Sequence, residues 1–270
     1  MKRLLGRLGT EPAVSENLLQ ATKRRAIDAG FERLRARSFA DLGGVWAVEG
    51  GYTLYALERF SIDRAVLVDT GITEPVRRRA AREPRLELVH GDFTEPDIAR
   101  SVGTVDAVLM FDVLLHQVRP DWDEVLQLYA PLTRAFVIVN PQYIGGHRTV
   151  RLLDLGKERY DQLVPSSPVH DNAWAHLDEV HPTYGLPYRD IHEIWQWGIV
   201  DADLDAVCRR LGFERVYYEN AGVWRDLLAF ENHAFVYARI DRSKPDNSET
   251  PEQAGSRAST NANDVHKRRI

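Results

Sequence analysis

Four aspartates in the first half of the chain stand at or just past the ends of successive apolar runs. Asp41 follows Phe39-Ala40, Asp69 closes Arg64-Ala65-Val66-Leu67-Val68, Asp92 follows Leu86 to Gly91, and Asp112 closes Val105 to Phe111. One aspartate in such a place is ordinary turn chemistry. Four in series describe an edge that accepts hydrogen bonds. A glycine-rich stretch with Gly43, Gly44, Gly50 and Gly51 follows the first acid and lets a ligand approach the backbone closely. A helix starting near Tyr52 would aim free N–H groups and a positive dipole end at an anion. The set suits a ligand that joins adenosine to an amino acid. The helix start would take the carboxylate, and Asp41 the amino group, directly or through water. Asp69 would accept from both ribose hydroxyls. Asp92 would accept from the exocyclic adenine amine while Phe93 or a nearby apolar group covers the ring.

These acids share one edge if the runs that carry them are parallel strands. The texture agrees. Strands over Phe39–Leu42, Arg64–Asp69, Leu86–Asp92, Val105–Asp112 and Ala135–Asn140 alternate with helices over Tyr52–Glu58, Pro75–Glu83, Ile98–Val102 and Trp122–Tyr129. Near-continuously apolar strands spaced by helices predict an α/β, Rossmann-like, doubly wound sheet covered on both faces. Right-handed crossovers then collect every strand's C-terminal end on one edge, where such sheets bind ligands. A helix over Asp201–Leu211, stopped by Gly212, precedes strands at Phe213–Tyr218 and His233–Ile240, joined by a loop with Trp224 and Phe230. Pro141 closes the fifth strand. The expected organisation is an N-terminal helical segment over 1–38, with its helix from about Ser15 to Ala36, and a main domain over 39–240. That domain carries an inserted lid over 145–197, and 241–270 has the composition of a disordered tail.

Taken in order, these blocks from about Phe39 to Ile240 resemble the class I S-adenosylmethionine-dependent methyltransferases. The resemblance rests on Asp41-Leu42-Gly43-Gly44 with Gly50-Gly51, on Val66-Leu67-Val68-Asp69, on Gly91-Asp92, on Asp106 to His116, and on the helix ending Leu211-Gly212-Phe213. It implies a seven-stranded, mostly parallel sheet with an antiparallel last strand, S-adenosylmethionine as cofactor, and an enzyme that transfers its methyl group. Two features depart from the family. Its loop reads acid-x-Gly-x-Gly-x-Gly, whereas Val45-Trp46-Ala47-Val48-Glu49 separates the glycine pairs here, a longer loop over the cofactor. The usual Pro-Gly-Gly turn before the fifth strand is replaced by Pro131-Leu132-Thr133-Arg134.

Methyl transfer from a sulfonium is an in-line displacement, so such an enzyme aligns two reactants and removes a proton when the acceptor is a hydroxyl. His116, just past the fourth strand, is the candidate base because imidazole titrates near neutral pH. Asp112 is the rival base; it also belongs with the cofactor-binding acids, or caps a helix begun at Val113. The insert Gly145–Trp197 offers His147, His170, His176, His181 and His192 with Trp174, Tyr184, Tyr188, Trp195 and Trp197. Rings and imidazoles suit a hydroxylated small molecule, sugar or glycan precursor as acceptor, and equally a plain aromatic core. No metal is expected, since no pair of His at i and i+4 flanks a Glu. Two other readings compete: an NAD(P)-dependent oxidoreductase, for which Gly-x-Gly-x-x-Gly is lacking, and a catalytically inactive nucleotide-binding module on the same fold.

Composition narrows the classes further. At 270 residues and 44% hydrophobic, the chain can bury the core of one main domain. A net charge of -5 argues against a general nucleic-acid binder. Basic residues crowd the start (Lys2, Arg3, Arg7, Lys23, Arg24, Arg25, Arg33, Arg35, Arg37) and read as a solvated helix face. The single Cys208 excludes a disulfide framework and suits a reducing cytoplasm. No apolar run approaches the ~20 residues of a membrane span, and the first residues lack a secretory pattern. A cytoplasmic protein without stable membrane insertion, compatible with a homodimer, is expected.

Overall fold

The structure, a computed structural model, describes residues 20–240. The expected tail and the first part of the N-terminal segment lie outside the described residues. The chain runs α1 (Ala21–Leu34), β1 (Ser38–Leu42), α2 (Gly51–Arg59), β2 (Arg64–Asp69), α3 (Glu74–Ala80), β3 (Leu86–His90), α4 (Pro96–Val102), β4 (Val105–Phe111), α5 (Trp122–Tyr129) and β5 (Thr133–Tyr143). The insert follows with β6 (Val150–Arg151), α6 (Lys157–Leu163), α7 (Pro168–Ala175) and β7 (Trp197–Gly198). The main sheet is then completed by α8 (Asp201–Arg210), β8 (Phe213–Trp224) and β9 (Leu227–Arg239).

Seven strands lie in the order β3-β2-β1-β4-β5-β9-β8. Six point one way, and β9, antiparallel to both its neighbours, points the other. The alternation along each strand explains the two layers. Val66 and Val68 face α4, α5 and α8, through Ala99, Val102, Val125, Leu126, Leu204 and Val207. Ala65 and Leu67 face α1, α2 and α3, through Ile27, Phe31, Ala56, Leu57 and Val76. Both faces are covered, so both sets must be apolar. The N-terminal helix is part of this packing: Ala26, Ile27 and Phe31 meet Val137, Val139 and Val236. No helix among the described residues is long and apolar enough to cross a membrane.

Two expectations about strand ends are corrected. Pro141 does not close β5, which continues to Tyr143 opposite Phe230 of β9. β4 accompanies β5 only as far as Phe111 opposite Val139. Beyond that point no strand among the described residues pairs with the second edge of β5, and a proline there interrupts no strand ladder. The loop expected between the last two strands is instead strand. β8 and β9 form a long hairpin whose register shifts between Asn220 and Val223, beside Gly222 at φ +86°. These bulges break the alternation a sequence reading relies on. Trp224 and Phe230 pack against Trp195 of the insert, with ring centroids 5.1 Å apart in each case.

Candidate functional site

The strand order places the four acids on adjacent strand ends, Asp92, Asp69, Asp41 and Asp112 in spatial sequence. They are not level. Asp41 is registered with Leu67 and Leu109, so Asp69 and Asp112 stand two and three residues farther along their strands. Asp41 is therefore recessed, at 1% exposure. The Thr53 hydroxyl donates to its Oδ2 at 2.5 Å. A Cβ on Gly44 would fall 2.5 Å from the same oxygen, so only glycine passes over it. Burial, reinforced by the charge of Asp69, pushes the Asp41 carboxyl up to about 6. Asp41 thus lies beneath the loop, bonded to Thr53 of α2.

The five extra residues of the loop wind into a turn of their own. Val48 and Glu49 donate to the Val45 carbonyl at 3.3 and 2.7 Å, Gly50 donates to Gly44 at 2.9 Å, and Gly51 donates to Val48 at 2.9 Å. Trp46 projects from this turn, 84% exposed. Half-buried Asp69 fastens the turn: its Oδ2 accepts from the Val45 N–H at 3.0 Å and its Oδ1 from the Gly71 N–H at 2.8 Å. A carboxylate oxygen accepts two hydrogen bonds, so each retains capacity for a ligand hydroxyl. Gly43, at φ +72°, passes between Val113 and Phe93; a Cβ there would come within 2.9 Å of Val113 and 3.6 Å of the Phe93 ring. Phe93 thus borders the loop, though it is mostly buried in the core. Asp92 turns back on its own chain, its Oδ1 accepting from the Thr94 N–H and hydroxyl at 2.9 and 2.8 Å.

Asp112 sits at φ +56° just after β4. Its Oδ2 accepts from the Lys23 ammonium at 2.6 Å. Its Oδ1 is buried and finds no hydrogen-bond partner among the described residues. It caps nothing: the turn after it is a 3-10 segment over Leu114–His116 without a side-chain cap. Lys23 stands 5.3 Å from the centre of the Tyr52 ring and 5.8 Å from that of Phe111. At 7% exposure it is not on a solvated face, which corrects the reading of the basic N-terminal helix at this position. The signal was present. Lys23 begins the stripe Ala26, Ile27, Gly30, Phe31 at helical spacing, which is the buried side of α1.

His116 points its Nδ1 at the Ile194 carbonyl, 2.9 Å away. A carbonyl only accepts, so the neutral ring carries its proton on Nδ1 and leaves Nε2 as a bare lone pair. Burial pushes the imidazole below its ordinary value, against the opposing carbonyl and the charge of Asp112.

No protein-family model and no curated sequence matches the chain. Solved structures do share its fold. The 1,6-didemethyltoxoflavin-N1-methyltransferase of Burkholderia thailandensis, crystallised with 1,6-didemethyltoxoflavin and S-adenosylhomocysteine, matches with TM-score 0.53 at 16% identity, over 84% of this chain and 82% of that one. The N-terminal domain of EvdMO1, crystallised in the presence of S-adenosylhomocysteine and D-fucose, matches with TM-score 0.52 at 18% identity, over 82% and 84% of the two chains. The fold is that of the class I methyltransferases.

In this methyltransferase fold the insert holds the segment after β4 in place. Gln196 donates its N–H to the Leu115 carbonyl at 3.0 Å, and the Trp197 indole donates to Gln117 at 2.6 Å. From the sheet side, the Leu115 N–H donates to Asn140 Oδ1 at 3.3 Å. The insert's histidines separate into groups. His192 lies beside the Val118 carbonyl at 3.3 Å. His170 packs on Tyr160, which also packs on Trp174. His176 and His181 stack on Tyr188 in a cluster of their own, and His147 is exposed. Sequence reasoning missed Lys23, Thr53, Asn140 and the Ile194 carbonyl. The last three act through contacts that no spacing reveals.

Proposed function

We propose that the protein is an S-adenosylmethionine-dependent methyltransferase that O-methylates a hydroxylated small molecule, sugar or glycan precursor. The observation that carries this is the stepped acidic rim beside a glycine cradle, with a histidine just past β4 whose Nε2 is unprotonated. The residues present fit the cofactor. Gly43 and Gly44 let the loop backbone lie close over Val113, Asp41 and Leu67, where any Cβ would collide. Asp69 keeps acceptor capacity for the ribose, and Asp112 holds an unused buried oxygen. Both similar structures carry S-adenosylhomocysteine, the product such a reaction leaves.

S-adenosylmethionine supplies an electrophilic methyl group on a sulfonium. Everything else falls to the chain. The loop Gly43–Gly51 and Asp69 hold the adenosine side, with Phe93 at its border and Asp92 at the outer end of the rim. His116 Nε2 accepts the proton of the acceptor hydroxyl as its oxygen becomes a nucleophile. Burial keeps the ring neutral before transfer, and the Asp112 charge steadies the imidazolium afterwards. Asp112 itself is already engaged by the Lys23 ammonium, so the proton goes to His116. The insert acts as the acceptor lid, its rings offering apolar faces beside hydrogen-bonding edges. A single buried cysteine agrees with work in the reducing cytoplasm.

The test has two stages. S-adenosylhomocysteine should raise the melting temperature and give a calorimetric heat, while NADH should do neither; the reverse would favour an oxidoreductase. Transfer of labelled methyl to a panel of sugars and hydroxylated aromatics should then identify the acceptor class. Normal binding with no transfer to any acceptor would leave the inactive module as the better account.

A further inference from the structure

Lys23 is the one lysine of α1, and it lies on the helix's buried stripe. Burying an ammonium is costly unless its charge is matched, and among the described residues only one carboxylate oxygen matches it. The other oxygen of Asp112 is buried without a partner among the described residues, and its residue is held at φ +56°, a conformation non-glycine residues rarely adopt. A buried ion pair left half satisfied, on a strained backbone, is expected where a ligand completes it. Its position agrees. The Lys23 ammonium lies against two touching rings, that of Tyr52, in the first turn of α2 just after Gly50-Gly51, and that of Phe111 at the end of β4. With the ribose at Asp69 on β2, an amino-acid end that crosses the neighbouring β1 reaches the end of β4 and so this ion pair.

We propose that Lys23 and Asp112 together form the receptor for the zwitterionic amino-acid end of the cofactor. One of the remaining N–H donors of Lys23 takes the α-carboxylate, and Asp112 Oδ1 accepts from the α-ammonium. This rests on the cofactor reading above and replaces the helix start and Asp41 as the receptors expected from sequence. The arrangement is a fixed positive and negative pair reading a ligand of opposite polarity, so it selects for the amino acid rather than for adenosine.

The test compares three ligands by calorimetry: S-adenosylhomocysteine, the same molecule with its α-carboxylate replaced by hydrogen (an aminopropylthio adenosine), and 5′-methylthioadenosine, which lacks the whole amino acid. Lys23→Met should weaken S-adenosylhomocysteine about tenfold to a hundredfold, the range for a lost hydrogen bond to a charged group. It should leave the carboxylate-free analogue and 5′-methylthioadenosine unchanged. Asp112→Asn should weaken both amine-bearing ligands and spare 5′-methylthioadenosine. Equal weakening of all three ligands by Lys23→Met would overturn the proposal and leave Lys23 a packing role, as would unchanged affinity for S-adenosylhomocysteine. Should wild-type protein bind none of the three, the cofactor reading itself fails. Because the readout is a ratio between ligands, a general loss of stability does not imitate it. If Lys23→Met does not fold, Lys23→Gln is read by the same ratio.

Discussion

The acidic rim and the aromatic cluster that we propose as its cap are held by different forces. Along β3-β2-β1-β4 the strands set the spacing, and each functional side chain is placed by its distance past a strand end. Asp69 and Asp92 need only backbone N–H groups and a nearby threonine to hold them. The cap draws on separate stretches of chain: the insert, the tip of the β8–β9 hairpin and the segment after β4. It closes on a cluster of its own around Tyr143, Leu152, Tyr160, Trp195 and Phe230. The rim is precise because a parallel ladder is stiff. The cap is held mainly by large side chains, with only the two-residue pairing of β6 and β7 as a ladder in the insert. The proposed function asks for a site that recognises one cofactor and a lid that receives an acceptor, and the two constructions suit those tasks respectively.

That contrast can be broken at named places. Asp69→Ala removes the fastening of the loop together with the ribose acceptor, and should reduce S-adenosylhomocysteine affinity about a thousandfold by calorimetry, consistent with several charged hydrogen bonds lost at once. Phe230→Ala empties the centre of the cap and should cost about 3–5 kcal/mol in denaturant unfolding. Its cofactor affinity should stay near wild type, whereas a matched loss of cofactor binding would mean rim and cap are one unit.

Asp41→Asn sharpens the contrast from the other side. The folded carboxyl sits at about 6 because burial disfavours its charge. The unfolded group titrates near 4, so the folded state holds the proton more tightly. That advantage is complete below about pH 4 and lost as pH rises through about 6. Asparagine keeps an acceptor for Thr53 and carries no charge. The variant should therefore be more stable than wild type at pH 8, by up to about 3 kcal/mol, with the difference vanishing by pH 4. No difference at pH 8 would show that the recess is hydrated.

His116 lies where rim and cap meet. His116→Ala should lower turnover about a hundredfold, as expected for a lost general base, while cofactor affinity stays within about threefold. In wild type the rate should fall toward acid pH as the imidazole protonates, with its midpoint below the usual histidine value. The smallest effect belongs to the surface. Arg25, paired with Glu219 across the outside of α1 and β8, should cost no more than about 0.5 kcal/mol when changed to Ala.

Much of the rim was legible in the residues themselves. Runs such as Ala65 to Val68 are buried on both sides, so their apolar continuity announces a parallel strand, and an aspartate at the end of each marks the ligand edge. The carboxylates' separate fates were not legible. Asp41 and Asp69 look alike in sequence, yet two residues of register put one under Gly44 beside Thr53 and leave the other on the rim. Lys23 was hidden among arginines, although helical periodicity alone could have placed it on the buried stripe. The strands at Phe213 and His233 were legible, but their continuation through 219–232 was missed because bulges break the alternation that marks a strand. The His116 tautomer could not be read at all, because the carbonyl that sets it belongs to Ile194, 78 residues away. Local patterning determined which segments become strands and helices and which edge carries the acids, because those depend on neighbours along the chain. Only the tertiary structure decided which acid is buried, which is paired and which nitrogen is bare. Those depend on side chains and carbonyls that folding brings together from distant positions.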